Sequence, residues 1–128
     1  MSHYRNLMWN EQITVYHREE VEDDRGRLKT VYTRTVNDDC FFNRVQTISV
    51  SGNSFVTSER YVVRIPAECG AIVSPEDLIV KGSVEDEVTN GTRLSEVKVK
   101  YTGMCFTVGG VSDDTKLTKT AHLKVTGE

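Results

Sequence analysis

The sequence predicts an all-β fold, a small β-barrel of six or seven strands with one short helix. Three observations carry this. Apolar and polar residues alternate with a period of two along most of the chain, the pattern of a half-buried strand. Turns rich in Gly, Asn and Asp separate these runs. The chain has 128 residues, about one domain (1–128) with a modest core. Closing the sheet into a barrel would also hide its edges.

The elements follow in order. Ile13, Val15 and His17 alternate with Thr14, Tyr16 and Arg18 in a first strand. "EEVEDDRGR" is a charged turn with Gly26 at its tip. A second strand runs from Lys29 to Val36, with Val31, Thr33 and Thr35 on one face and Tyr32, Arg34 and Val36 on the other. The pair reads as a hairpin with a long polar loop. A third strand begins near Cys40 and carries Phe41, Phe42 and Val45. A fourth carries Tyr61, Val62, Val63 and Ile65 and stops at Pro66, which cannot donate to a ladder. "LIVKG", Leu78 to Gly82, is a short apolar strand. "MCFTVGGVSDD" is another, with Gly109-Gly110 marking a bulge or sharp bend. "AHLKVTGE" closes the chain with Leu123 and Val125 on one side. Leu94, Val97 and Tyr101 fall on one helical face, so a helix is expected near Leu94 to Tyr101, with Thr92 able to cap it. Val97 and Val99 keep a short strand open there.

Composition narrows the function. The formal net charge is -3 with both signs interspersed, which shows no basic footprint for nucleic acid. No run approaches a spanning helix, and "MSHYRNLMWNEQ" has no apolar signal core, so an intracellular setting without membrane association is expected. Cys40, Cys69 and Cys105 form no CxxC pair, and three is an odd number for a disulfide framework; free, buried thiols are expected. "NGT" at Asn90 to Thr92 reads as a turn.

The search for chemistry is nearly empty. His3, His17 and His122 have no metal-ligand spacing, and no GxSxG, Walker or GxGxxG pattern occurs. Asp113-Asp114 suits a turn. No enzyme activity, cofactor or metal is expected. Binding or assembly remains. Trp9, in "LMWN", is either a plug closing a barrel end or an interface anchor. Two acidic connections, Glu20, Glu22, Asp23 and Asp24 in one and Glu85, Asp86 and Glu87 in the other, are candidate assembly rims or simply solvated loops.

One stretch stands apart. "QTISVSGNSFVTS", Gln46 to Ser58, has no Lys, Arg, Asp or Glu, although these make up 27% of the chain. Its Ser, Thr and Val favour strand structure. It is either an ordinary hairpin with "SGNS" as its turn or a dedicated surface.

Several blocks together resemble a known family: "WNEQITVYHRE" with Trp9, Asn10, Ile13, Thr14 and Tyr16; "CFF" with Cys40 and Phe41; "VRIP" with Ile65 and Pro66; "SPEDLIVKGSVEDEV" with Asp77 to Gly82; and "VSDDT" and "HLKVTG" with Ser112, Asp113, His122, Lys124, Val125 and Gly127. They resemble small phage and prophage head-tail connector proteins of Gram-positive hosts, of the head-closure ("stopper") or minor capsid type, over about Trp9 to Gly127. Two positions depart from the pattern: Glu76 stands where Gly is expected, and Asp114 where Asn is more usual.

The resemblance implies a virion structural protein of the neck, made in the host cytoplasm. It would form a homo-oligomeric ring between the portal-adaptor complex and a tail-terminator or tail-tube protein. Such a ring helps retain packaged double-stranded DNA without reading its sequence. It also implies a projecting loop around 46–58 that lines the channel, through Gln46, Thr47, Ser49, Ser51, Gly52, Asn53, Ser54, Thr57 and Ser58. A neutral surface of this kind neither binds nor repels a sliding polyanion strongly. Burying little apolar surface, the loop is expected to be poorly ordered in an isolated subunit. A tail terminator or other tail-side connector is the alternative, and a small-ligand-binding β-barrel is a more distant one.

Overall fold

The computed structural model describes residues 9–88, 93–114 and 121–128. His3, Asn90 and Thr92, considered above from the sequence, lie outside them. Within the described residues, six strands close into an antiparallel barrel in the order β1-β2-β3-β6-β5-β4, with β4 returning to β1. They are β1 Glu11–Glu22, β2 Leu28–Ser51, β3 Ser54–Pro66, β4 Leu78–Lys81, β5 Cys105–Asp114 and β6 His122–Gly127. One helix, α1, spans Leu94–Lys100, ending one residue before the expected Tyr101. The helical face therefore prevails over the β-branched Val97 and Val99. Arg93 occupies the N-cap, and its backbone N–H donates to the Glu96 carboxylate at 3.3 Å, half of a capping box.

The expected second and third strands are one. β2 is 24 residues long and runs through "VNDDC" without a turn. The chain accommodates the polar segment as a bulge. Pairing with β1 shifts register between Ile13↔Asn37 and Glu11↔Cys40, and Asp39 takes φ 58°, a left-handed conformation that Asp tolerates better than most residues. The bulge bends the strand. Its first half pairs with β1 (Leu28 to Cys40) and its second half with β3 (Phe41 to Ser51). The glycine pair in β5 behaves as expected, with a register shift between Val108 and Gly110.

The core has two compartments. Ile13, Val15, Cys40, Tyr61, Val63, Ile65, Ile79, Phe106, Val108 and Val125 fill the barrel interior. Tyr61 and Phe106 stack there at 5.0 Å, with Phe42 edge-on to Tyr61. Tyr16, Leu78, Val80 and Val84 pack outside the barrel under Val97 of α1. Ile13 to Tyr16 and Leu78 to Val80 are therefore buried on both faces, which explains the unbroken apolar run "LIV". Thr14 suits this site because both its hydrogen-bonding capacities are used: its hydroxyl donates to the Gly82 carbonyl at 2.8 Å and accepts from the Val84 amide at 3.1 Å.

Gly127 closes the seam, pairing with Tyr61 of β3 and Val108 of β5. A Cβ at this position would lie 2.1 Å from the Thr107 carbonyl oxygen and 2.5 Å from the Phe106 ring. Only glycine fits.

Candidate functional site

Past the barrel rim, β2 and β3 continue as a free-standing arm. β1 reaches β2 only as far as Cys40, and β6 reaches β3 only as far as Tyr61. From Val45↔Arg60 to Ser51↔Ser54 the two strands pair only with each other, closing on Gly52 and Asn53. Gly52 has φ 61°, which this tight turn requires and which "GN" supplies. At about 3.3 Å per residue the arm extends roughly 20 Å.

The segment 46–58 is thus not a loop. It is a hydrogen-bonded ladder of two antiparallel strands. Backbone pairing and β-prone Thr, Val and Ile organise it without a buried core. The boundaries at Gln46 and Ser58 mark where charge stops: Arg44 and Glu59 form an ion pair at the root, and no charged side chain follows until the chain returns.

Alternation gives the arm two unlike faces. Residues opposite each other share a face, so Gln46/Glu59, Ile48/Thr57 and Val50/Phe55 lie on the side that continues from the barrel interior. Ile48, Val50 and Phe55 are 67%, 70% and 77% exposed there, an apolar tip with nothing over it among the described residues. Thr47/Ser58, Ser49/Val56 and Ser51/Ser54 form the other face, mostly hydroxyls. The emphasis on Ser, Thr and Asn in the sequence reading missed Ile48, Val50 and Phe55. Their alternation with Thr47, Ser49 and Ser51 was the available signal. Along its length the arm also leaves both edges unpaired, presenting free N–H and C=O groups to a further strand.

The acidic connections differ from one another. Glu20, Glu22, Asp23 and Asp24 are exposed around the β1–β2 turn, where the Asp23 carboxylate accepts from the Arg25 and Arg27 amides. Arg25, Arg27 and Lys29 stand nearby and offset much of the negative charge. Around Glu85 to Glu87 the carboxylates are largely engaged. Asp86 accepts from Lys100 Nζ at 2.8 Å and from the Tyr101 hydroxyl, while its backbone carbonyl accepts from the Tyr16 hydroxyl at 2.6 Å. The bonds from Lys100, then Tyr101, hold the Asp86 carboxyl below its ordinary range. Burial first, then Asp86, pushes the Tyr16 phenol up to about 12. Glu87 pairs with Arg34 at 3.0 Å. Asp86 therefore ties the connection to α1 rather than standing free as a rim charge.

Trp9 lies on the outside of the barrel, partly exposed, edge-on to the His122 ring at 5.3 Å. His122 Nε2 is 2.9 Å from Arg64 Nη1 and must accept from it, since guanidinium has no acceptor. His17 joins the buried Asp77, its Nδ1 2.7 Å from Oδ2, and Asp77 also accepts from the Ser74 and Arg18 amides. The carboxylate thus fixes the bend before β4. Glu76 within that bend has φ 77°, a left-handed conformation that glycine adopts at the least cost.

Cys40 is buried, Cys69 exposed and Cys105 intermediate, and all three are free thiols. Cys69 thus departs from the expected burial, because it ends a surface 3-10 turn, Ala67–Cys69. Burial, then the neighbouring Cys69, raises the Cys40 thiol to about 12. Among the described residues no three His, Cys, Asp or Glu side chains gather as metal ligands, and no helix is long and apolar enough to cross a membrane.

No curated protein matches the chain. A family model does, over residues 8–128, described as a family of unknown function (DUF6751). That match takes in the whole barrel, the arm and α1, and the chain belongs to this family.

Proposed function

We propose that this protein is a structural component of a phage neck: a head-closure ring subunit between the portal-adaptor complex and the tail that helps retain packaged double-stranded DNA. The observation that carries the reading is the arm, a two-stranded projection from a closed barrel with no charge between Gln46 and Ser58. Copies of such an arm can converge around an axis without like-charge repulsion. Their free edges can pair, and Ile48, Val50 and Phe55 can bury one another, each contributing about 1.5–3 kcal/mol when fully covered. A closed barrel supplies a stiff base for this, because its own strands have no edges left within the body.

The test replaces Gln46–Ser58 with a two-residue turn in a phage encoding the protein. Barrel folding should survive, since only arm–arm pairing is removed. Heads should still fill, and DNA should leak before tail attachment. Unchanged DNA retention, or a map of the assembled particle with the arm on the outer wall, would defeat the reading. A tail terminator would instead yield filled, closed heads and tails of uncontrolled length.

A further inference from the structure

We propose that the outer face of β3, β6 and β5 at the root of the arm binds the phosphate backbone of duplex DNA through Arg60 and Lys124. Tyr61, Val63, Ile65 and Val125 point into the barrel, so the alternate residues Arg60, Val62, Arg64, Lys124 and Thr126 lie outside. Register places Lys124 directly beside Arg64, and Thr126 beside Val62, one step from Arg60. Across the next strand pair, Ser112 stands opposite Lys124 and Gly110 opposite Thr126.

Part of this face encloses a shallow hollow of about 390 Å³, lined by Arg60, Lys124, Thr126, Ser112, Gly110 and Val111. Its composition is that of an anion site. Among the described residues, neither Arg60 nor Lys124 takes part in an ion pair, whereas Arg18, Arg34, Arg44 and Lys100 are all matched to carboxylates. In a chain of net charge -3, two unmatched cations on one face are a concentration that composition conceals. The floor is kept open by glycine: a Cβ at Gly110 would stand 3.3 Å from the Thr126 hydroxyl. Thr126 and Ser112 bring hydroxyls to the same hollow. Among acidic positions, Glu128 lines the adjoining hollow with Arg60, and Asp114 is in register with His122 at the far end.

The polymer, rather than a lone phosphate, is favoured by continuity. Val45↔Arg60 begins the arm, and the face that carries Arg60 continues into Thr47/Ser58, Ser49/Val56 and Ser51/Ser54. A duplex seated on the two cations can lie along a hydroxyl surface that binds it weakly. The root grips and the arm lets slide. The neck reading enters only in naming DNA as the polyanion.

The test is fluorescence anisotropy of a labelled random-sequence duplex with the intact chain, across salt concentrations. Two phosphate contacts predict a slope of about -1.8 in log affinity against log salt, so affinity should fall about twelve-fold between about 50 and about 200 mM salt. Arg60→Gln with Lys124→Gln should abolish that salt dependence, and Arg60→Lys with Lys124→Arg should restore most of it. The charge-preserving pair guards against misfolding as an explanation. No duplex binding at low salt, or equal binding by the Gln pair, overturns the proposal. So does binding to anionic phosphatidylserine vesicles in preference to duplex, or full competition by millimolar inorganic phosphate. Ring assembly, followed separately by mass measurement, keeps the two readings apart: rings that ignore DNA defeat this inference and leave the neck reading standing.

Discussion

β2 and β3 pass through two environments, and the same strand pairing serves opposite ends in each. In the barrel, Phe42, Tyr61 and Val63 face a closed interior, and β1 and β6 cover the outer edges. In the arm, Ile48, Val50 and Phe55 continue the same face into solvent, and both edges are bare. Apolar residues in the first region hold the fold. In the second they give a lone subunit only their cross-strand contacts and gain most of their value when covered. Hydrophobicity by itself does not distinguish the two; the end of the flanking strands does.

Substitutions can break or sharpen this contrast. The largest loss should come from Ile79→Ala, which opens a cavity in the barrel interior and should cost about 2–5 kcal/mol in chemical denaturation. Gly127→Ala comes next. Its methyl group would force the Thr107 carbonyl and the Phe106 ring apart, for about 1–3 kcal/mol of strain. Equal stability of this variant would show that the seam is looser than the geometry indicates.

Tyr16→Phe removes the hydrogen bond to the Asp86 carbonyl and should cost about 1 kcal/mol. It also has a pH signature. The Tyr16 phenol sits at about 12 when folded, above its ordinary value of 10.0. Its contribution is therefore complete below pH 10 and lost as pH rises toward 12, because the unfolded chain releases the proton first. Alkaline unfolding should begin at higher pH in the Phe variant once its lower starting stability is allowed for. Asp86 works at the other extreme: its lowered carboxyl stabilises above the ordinary carboxylate range and ceases to do so as pH falls through its folded value.

Glu76→Gly should go the other way, relieving the left-handed φ of 77° while giving up an exposed pair with Arg18, for a net gain of up to about 1 kcal/mol. The smallest effect belongs to the arm. Phe55→Ser with Val50→Ser should leave thermal unfolding within about 0.5 kcal/mol of the parent while weakening self-association at high concentration. A large loss of monomer stability would erase the distinction between the two regions.

Much of the barrel was legible in the sequence. Period-two alternation marked the strands, Pro66 ended β3, Gly109-Gly110 marked the bulge in β5, and Leu94, Val97 and Tyr101 marked α1. "VNDDC" misled, because Asn and Asp suit turns and bulges alike, and only the pairing partners of Ile13 and Glu11 decide between them. The candidate site was legible by its missing charge. Its two unlike faces and bare edges were not, because they depend on which strands pair and where the flanking strands end.

The sequence by itself determined the class of fold, the position of the uncharged segment and the need for glycine at its turn, since these depend on local propensity and on spacing along the chain. Tertiary structure decided the rest. Strand order made β1 and β4 buried on both faces, left Ile48, Val50 and Phe55 in solvent, committed Asp86 to α1 and set Lys124 beside Arg64. Each of these is a relation between residues far apart in the chain, and a contact of that kind exists only once the barrel has closed.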